Sequence, residues 1–215
     1  RPDQFIGVAE ETGLIIPIGK WVVRQACRMS KQIAAIGLGQ LQVAINLSPK
    51  QFSDPDLVGS IAAILHEEQL DPRLLELELT ASLLLDATDD TRHQLGRLKS
   101  LGLTLAMDDF GTGYSSLSYL KKFPIDIIKI DRSFIHEIPD NQDDMEITSA
   151  VIAMAHNLKL KVVAEGIETG AQLGFLRRQQ CDVGQGYLFD KPIPGRELID
   201  SLRRYPCRPQ ADQRT

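Results

Sequence analysis

The chain has 215 residues, 43% hydrophobic and 25% charged, with a formal net charge of −5 and an isoelectric point near 5.4. That length suits one large domain with a sizeable core. The acidic balance argues against a binder of DNA or RNA polymer, whose phosphates demand excess Lys and Arg.

Taken in chain order, the first 40 residues read as loop and helix, with a helical pattern over 20–37. β-Branched runs predict strands over 41–47, 74–79, 103–107, 125–130 and 160–164, and a weaker sixth over 181–183. Helical patterns fall between them, near 55–69, 82–100, 114–121, 143–157 and 169–179. Pro55 fits a first helical turn and Gly102 a helix stop. Residues 1–204 are expected to form the domain and 205–215 a disordered tail. Cys27, Cys181 and Cys207 lie far apart in no CxxC spacing, which excludes a disulfide scaffold and fits a reducing compartment. No run of about 18 apolar residues offers a span, and Arg1-Pro2-Asp3-Gln4 is no leader. The expectation is a cytoplasmic domain, or the cytoplasmic part of a membrane-tethered parent, with no membrane contact in this segment.

Strands alternating with helices imply a parallel sheet covered on both faces, either an open doubly wound sheet or a closed barrel. Asn46, Glu78, Asp108 with Asp109, Lys129, Glu165 and Gln185 sit at or just past the ends of successive strands, at intervals of 32, 30, 21, 36 and 20 residues. Eight strand–helix units in about 250 residues average about 31 each. In a barrel such residues meet at one mouth, whereas an open sheet spreads them along an edge. The pattern favours a (β/α)8 TIM-like barrel. Only six of its eight strands are legible, so it is expected to be truncated at the N-terminus.

Apart from Lys129, these side chains are hard oxygen donors, a set that suits Mg2+, Mn2+ or Ca2+ better than zinc or copper. Four carboxylates in one mouth repel unless cations neutralise them, and two divalent ions are the natural number. Paired ions clamp the attacking and leaving oxygens of a phosphodiester displacement. Each residue also has a bland explanation. An Asp-Asp pair after a strand is commonly a helix cap, and a strand lysine commonly snorkels. Asn46 could serve a turn, and Glu76, on the face of Glu78, could be solvated or brace the barrel floor. Six at one end of successive strands outweigh those explanations. His66, His93, His136 and His156 are scattered with no metal spacing and read as surface or core residues.

The stretch Asp108-Asp109-Phe110-Gly111-Thr112-Gly113-Tyr114-Ser115-Ser116 is neither a dinucleotide fingerprint nor a P-loop. Together with Phe5-Ile6-x-x-Ala9-Glu10-x-x-Gly13-Leu14-Ile15, Asn46-Leu47-Ser48, Glu78-Leu79-Thr80, Lys129-Ile130-Asp131, Ala164-Glu165-Gly166-Ile167-Glu168-Thr169 and Gly184-Gln185-Gly186-Tyr187, it makes seven motifs in order. Across residues 1 to about 204 the chain resembles the EAL domain of bacterial cyclic di-GMP phosphodiesterases.

That resemblance implies hydrolysis of cyclic di-GMP to linear pGpG with Mg2+ or Mn2+, two ions in all. It implies metal ligands at Asn46, Glu78, Asp108 and Asp109, and an essential glutamate at Glu165, as general base or metal partner. Lys129 matches a residue that holds the attacking water, and Gln185 a glutamine beside that water and the nucleotide. Asp131, Glu168, Gly186 and Tyr187 match substrate-side positions. Homodimers form in this family through the region after the 108–116 loop.

Two departures stand out. The Glu-Ala-Leu motif that names the family, with its metal-binding glutamate, occurs nowhere in the chain and is expected upstream of Arg1. Ala81 stands where the family usually has a glutamate bracing the 110–116 loop, a loss of charged hydrogen bonds worth about 1.5–3 kcal/mol each. Gly7, where proline is common, is a smaller one. Three expectations result: a metal-dependent phosphodiesterase in the parent protein, weak or silent in these residues alone; a degenerate receptor that binds cyclic di-GMP or a protein without cutting; or a truncation product with no function of its own.

Overall fold

Six parallel strands pair in the order of the sequence, β1 to β6, in a computed structural model that describes residues 2–39, 41–85, 88–111, 120 and 123–204. The strands are β1 (Val43–Leu47), β2 (Leu75–Thr80), β3 (Thr104–Phe110), β4 (Ile127–Ile130), β5 (Lys161–Ala164) and β6 (Val183–Gly184). All six coincide with sequence expectations to within a few residues. The helices are α1 (Pro2–Thr12), α2 (Ile15–Ala35), α3 (Pro49–Phe52), α4 (Leu57–Glu67), α5 (Ala81–Leu85), α6 (Asp89–Ser100), α7 (Gln142–Asn157), α8 (Gly170–Arg178) and α9 (Gly195–Arg204).

The strands form because successive residues face opposite sides with period two. On β2, Leu75, Leu77 and Leu79 are fully buried in the main core with Ile61, Leu65, Leu95 and Leu98 from α4 and α6. The other face carries a separate small cluster, Ala106, Ile127 and Val163. Glu76 and Glu78 lie on that inner face and are nonetheless buried. A flat sheet would leave them in water; this one curls over them as a half-barrel.

Differences from the sequence expectation have local causes. The helix expected over 82–100 is two helices: α5 ends at Leu85, and Thr88 caps α6, accepting a bond from the Thr91 amide, with Asp89 and Asp90 in its first turn. Pro55 precedes α4 instead of opening it. The helix over 20–37 starts earlier, at Ile15, and buries Ile15, Gly19, Val23, Ala26, Cys27, Ser30 and Ile33 along one stripe. Helices α1 and α9 were not foreseen; α9 is short and polar overall, with Ile199 as its one buried residue, although Leu198, Ile199 and Leu202 fall at helical spacing. The expected helix over 114–121, most of the 108–116 loop and the tail over 205–215 lie outside the described residues. Among the described residues Cys27 and Cys181 are free, and no helix is long and apolar enough to cross a membrane.

Candidate active site

β3 runs on through Phe110, so Asp108 and Asp109 belong to the end of a strand and not to the loop after it. The register against β4 slips between Met107 and Phe110. At the slip Asp109 takes a left-handed backbone, φ +56°, and its amide donates to Asp108 Oδ1 at 3.0 Å. This bulge turns two consecutive carboxylates toward the carboxyl end of the sheet.

Lys129, on β4, is the centre of the site. Its Nζ lies 2.7 Å from Glu78 Oε1 of β2, 2.7 Å from Glu165 Oε1 just after β5, and 3.4 Å from Asp108 Oδ1 of β3. The lysine side chain is 4% exposed and that of Glu78 7%. In a flat sheet β2 and β5 would stand about 14 Å apart, three strand spacings. Both reach one nitrogen because the sheet bends around it. An ammonium has three N–H donors, and here three carboxylates surround them.

The electrostatics follow from that packing. Burial opposes the Lys129 charge, but its bonds to Glu165 and Glu78 outweigh burial and hold the group firmly protonated. For Glu165, burial raises the proton affinity more than Lys129 lowers it. Asp109 is also raised, by burial first and then by Asp108 and Asp131. Asp131 is the reverse: burial is outweighed by bonds from the Ser133 hydroxyl and amide, which keep it low. Beneath them, Glu76 is pushed up to about 7 by burial and by Glu78.

The remaining expected residues surround this centre. Asn46 is exposed at the end of β1, in register beside Glu78. The Gln185 backbone continues the β5–β6 ladder, its amide donating to the Ala164 carbonyl at 2.8 Å and its carbonyl accepting from Ile167 at 3.0 Å. A cavity of about 330 Å³ is lined by Asp131 and Arg132 after β4, by Glu165, Gly166 and Glu168 after β5, and by Gln185, Gly186 and Tyr187 after β6. A larger hollow, about 570 Å³, lies along the β4–α7 connection, lined by His136, Glu137, Asp140, Asn141, Gln142 and Asp143. The four histidines are exposed, with His156 paired to Asp182. Arg132 and Gln172 escaped the sequence reading. Arg132 has no distinguishing local signal; Thr169-x-x-Gln172 is a capping-box pattern and was legible.

Among the described residues, no three acidic, histidine or cysteine side chains converge on a point that an ion could fill unaided. Glu78 and Asp108 nevertheless offer two carboxylates, and the Asn46 amide supplies an oxygen on the adjoining strand. Three carboxylates against one ammonium leave a formal excess of negative charge at Lys129. Hard oxygen donors with uncompensated charge fit a divalent cation of the Mg2+, Mn2+ or Ca2+ type.

A parallel α/β half-barrel with a lysine-bridged acidic cluster and a cavity at the carboxyl ends of its strands has the layout of a (β/α)8-type domain. The chain belongs to the EAL domain family, whose model matches residues 1–192. It is 48% identical over 204 residues to the cyclic di-GMP phosphodiesterase NbdA of Pseudomonas aeruginosa, covering 95% of this chain and 26% of that protein. The chain spans about a quarter of the length of curated relatives that it matches. Its structure is similar to the PaMucR phosphodiesterase in complex with c-di-GMP, with a TM-score of 0.88, 44% identity, and coverage of 92% of this chain and 80% of that one. It is also similar to BlrP1 of Klebsiella pneumoniae in complex with manganese and c-di-GMP, with a TM-score of 0.72, 31% identity, and coverage of 82% and 45%.

Proposed function

We propose that this domain binds cyclic di-GMP at the mouth of the half-barrel and hydrolyses one of its phosphodiester bonds to linear pGpG, with Mg2+ or Mn2+ held by Asn46, Glu78, Asp108 and Asp109. Two ions suit that donor set. Bound there, a divalent ion neutralises phosphate charge and makes water a better nucleophile near neutral pH. The observation that carries the proposal is the meeting of Glu78, Asp108 and Glu165, from different strands, on Lys129 Nζ.

Lys129 stays an ammonium, so it orients and does not accept a proton. It steadies Glu165, and on release of one carboxylate it can donate to the attacking water or a phosphate oxygen. Glu165, with proton affinity raised by burial, takes a proton from that water. The water oxygen then bonds to phosphorus, one phosphorus–oxygen ester bond breaks, and the departing ribose oxygen leaves as a hydroxyl once reprotonated. Gln185 lies beside this step. Asp131, Glu168, Gly186 and Tyr187 line the cavity that receives the nucleotide, and the exposed Tyr187 ring offers a stacking face. We place the domain on the cytoplasmic side, as a homodimer whose contact falls in the region after the 108–116 loop.

Cyclic di-GMP incubated with the full-length protein and Mg2+ or Mn2+ should yield pGpG, and a chelator should stop it. No turnover with either metal overturns the hydrolytic proposal. Ala81, buried at the start of α5 with no carboxylate to brace the adjoining loop, favours a non-hydrolysing receptor as the second reading; calorimetric binding without product would establish it.

A further inference from the structure

Gln172 stands in the first turn of α8, is 3% exposed, and ties together two loops at the mouth of the site. Its Oε1 accepts from the Glu168 amide at 2.8 Å and the Thr169 amide at 2.9 Å, while its backbone N–H donates to Thr169 Oγ1 at 3.2 Å. On the other side its Nε2 donates to the His136 carbonyl at 3.1 Å. A buried amide facing two N–H groups with one end and a carbonyl with the other is satisfied in one orientation alone.

What it holds is the turn between Glu165 and Glu168. The Glu165 amide donates to the Ile130 carbonyl of β4, the Ile167 amide to the Gln185 carbonyl after β6, and the Leu188 amide to the Ile167 carbonyl. Gly166 takes φ +72° and presses against Arg132 so closely that an added Cβ would collide. The turn is thus pinned at its start by β4 and in its middle by the β6 loop, and at its end Gln172 receives the Glu168 amide. The bond to His136 goes beyond an ordinary helix cap, because it couples this turn to the β4 loop that carries Asp131.

We infer that Gln172 is a positioning residue. It sets the distance between the turn presenting Glu165 and Glu168 and the loop presenting Asp131, and so the width of the cavity in which the nucleotide is read. This rests on the function proposed above. A misplacement near 1 Å at a reacting centre costs on the order of a hundredfold in rate. Gln172→Ala removes every side-chain bond, whereas Gln172→Glu keeps the acceptor for both amides and loses the donor to His136.

The test uses the full-length protein with Mn2+, well below its melting temperature, with turnover expressed per nucleotide-binding site counted by calorimetry. Gln172→Ala should lower kcat per site about tenfold to a hundredfold and speed hydrogen exchange at the Glu168 and Thr169 amides. Gln172→Glu should keep those amides protected and recover part of kcat, with a raised KM from the lost tie to His136. If Gln172→Ala matches the native kcat and KM per site, or lowers only the melting temperature, the inference is overturned. If the native protein binds without cutting, the same comparison is made on its dissociation constant, with a tenfold weakening expected and equality overturning the inference. If the native protein neither binds nor cuts, the functional proposal fails first and the inference falls with it, a result visible before any variant is made.

Discussion

Lys129 Nζ and Glu165 Oε1 stand 2.7 Å apart, joining β4 to the turn after β5 in a pocket where the lysine is almost wholly removed from water. The same nitrogen meets Glu78 at an equal distance, so a single buried cation holds three strands' worth of acid together. Buried ion pairs are costly to form and costlier to break from one side.

Replacing Lys129 with Met should therefore destabilise strongly. Leaving Glu78, Asp108 and Glu165 unpaired should cost about 3–5 kcal/mol, which for a domain of this size lowers Tm by roughly 10 °C. Thermal melts with and without Mn2+ check this. The added ion should restore more of the loss in Lys129→Met than it adds to the native protein, because a ligand that binds only the folded state stabilises it. An equal gain in both would count against the acids as its ligands.

Glu165→Gln keeps the shape of the side chain and removes its proton acceptor. Turnover should fall by about 10²–10⁴-fold, while the circular dichroism spectrum and melting temperature change little. Turnover within a few-fold of native would remove Glu165 from the role of base.

Glu76 predicts a pH dependence of stability. Its carboxyl is pushed up to about 7 in the fold, by burial first and by Glu78 second, against about 4.3 in an unfolded chain. Below pH 4 the group is protonated in both states and the fold loses nothing. Between about pH 4 and 7 the unfolded chain has released its proton while the folded state keeps it, so stability falls across that window by up to about 4 kcal/mol and levels off above 7. Glu76→Gln should flatten that loss, so chelator-treated samples should show a Tm advantage for the variant at pH 8 and little at pH 4.

Gly166→Ala tests the turn after β5. With φ +72° and no room beside Arg132, a methyl group should cost about 1–3 kcal/mol and displace Glu165. Turnover should drop by more than the melting temperature implies, whereas Gly7→Ala, mid-helix in α1 with open space around it, should leave turnover unchanged and raise the melting temperature slightly.

Much of this was readable from the chain. The strand positions, the helices between them and the row of polar residues at the strand ends follow from a period of two and a change to a helical period, both local properties of the backbone. That is why Asn46, Glu78, Lys129 and Glu165 could be placed at one end of the sheet before any fold was known. Local pattern could not tell which acids Lys129 touches, that the acidic pair at 108 and 109 sits in a strand bulge, that Glu76 is closed off from water, or that Gln172 reaches the His136 carbonyl. Each depends on the sheet's curvature, which sums small twists over several strands and brings β2 and β5 to the same nitrogen. A sequence specifies which face of its own strand a side chain takes; how near it comes to one several strands away is decided when the whole sheet bends.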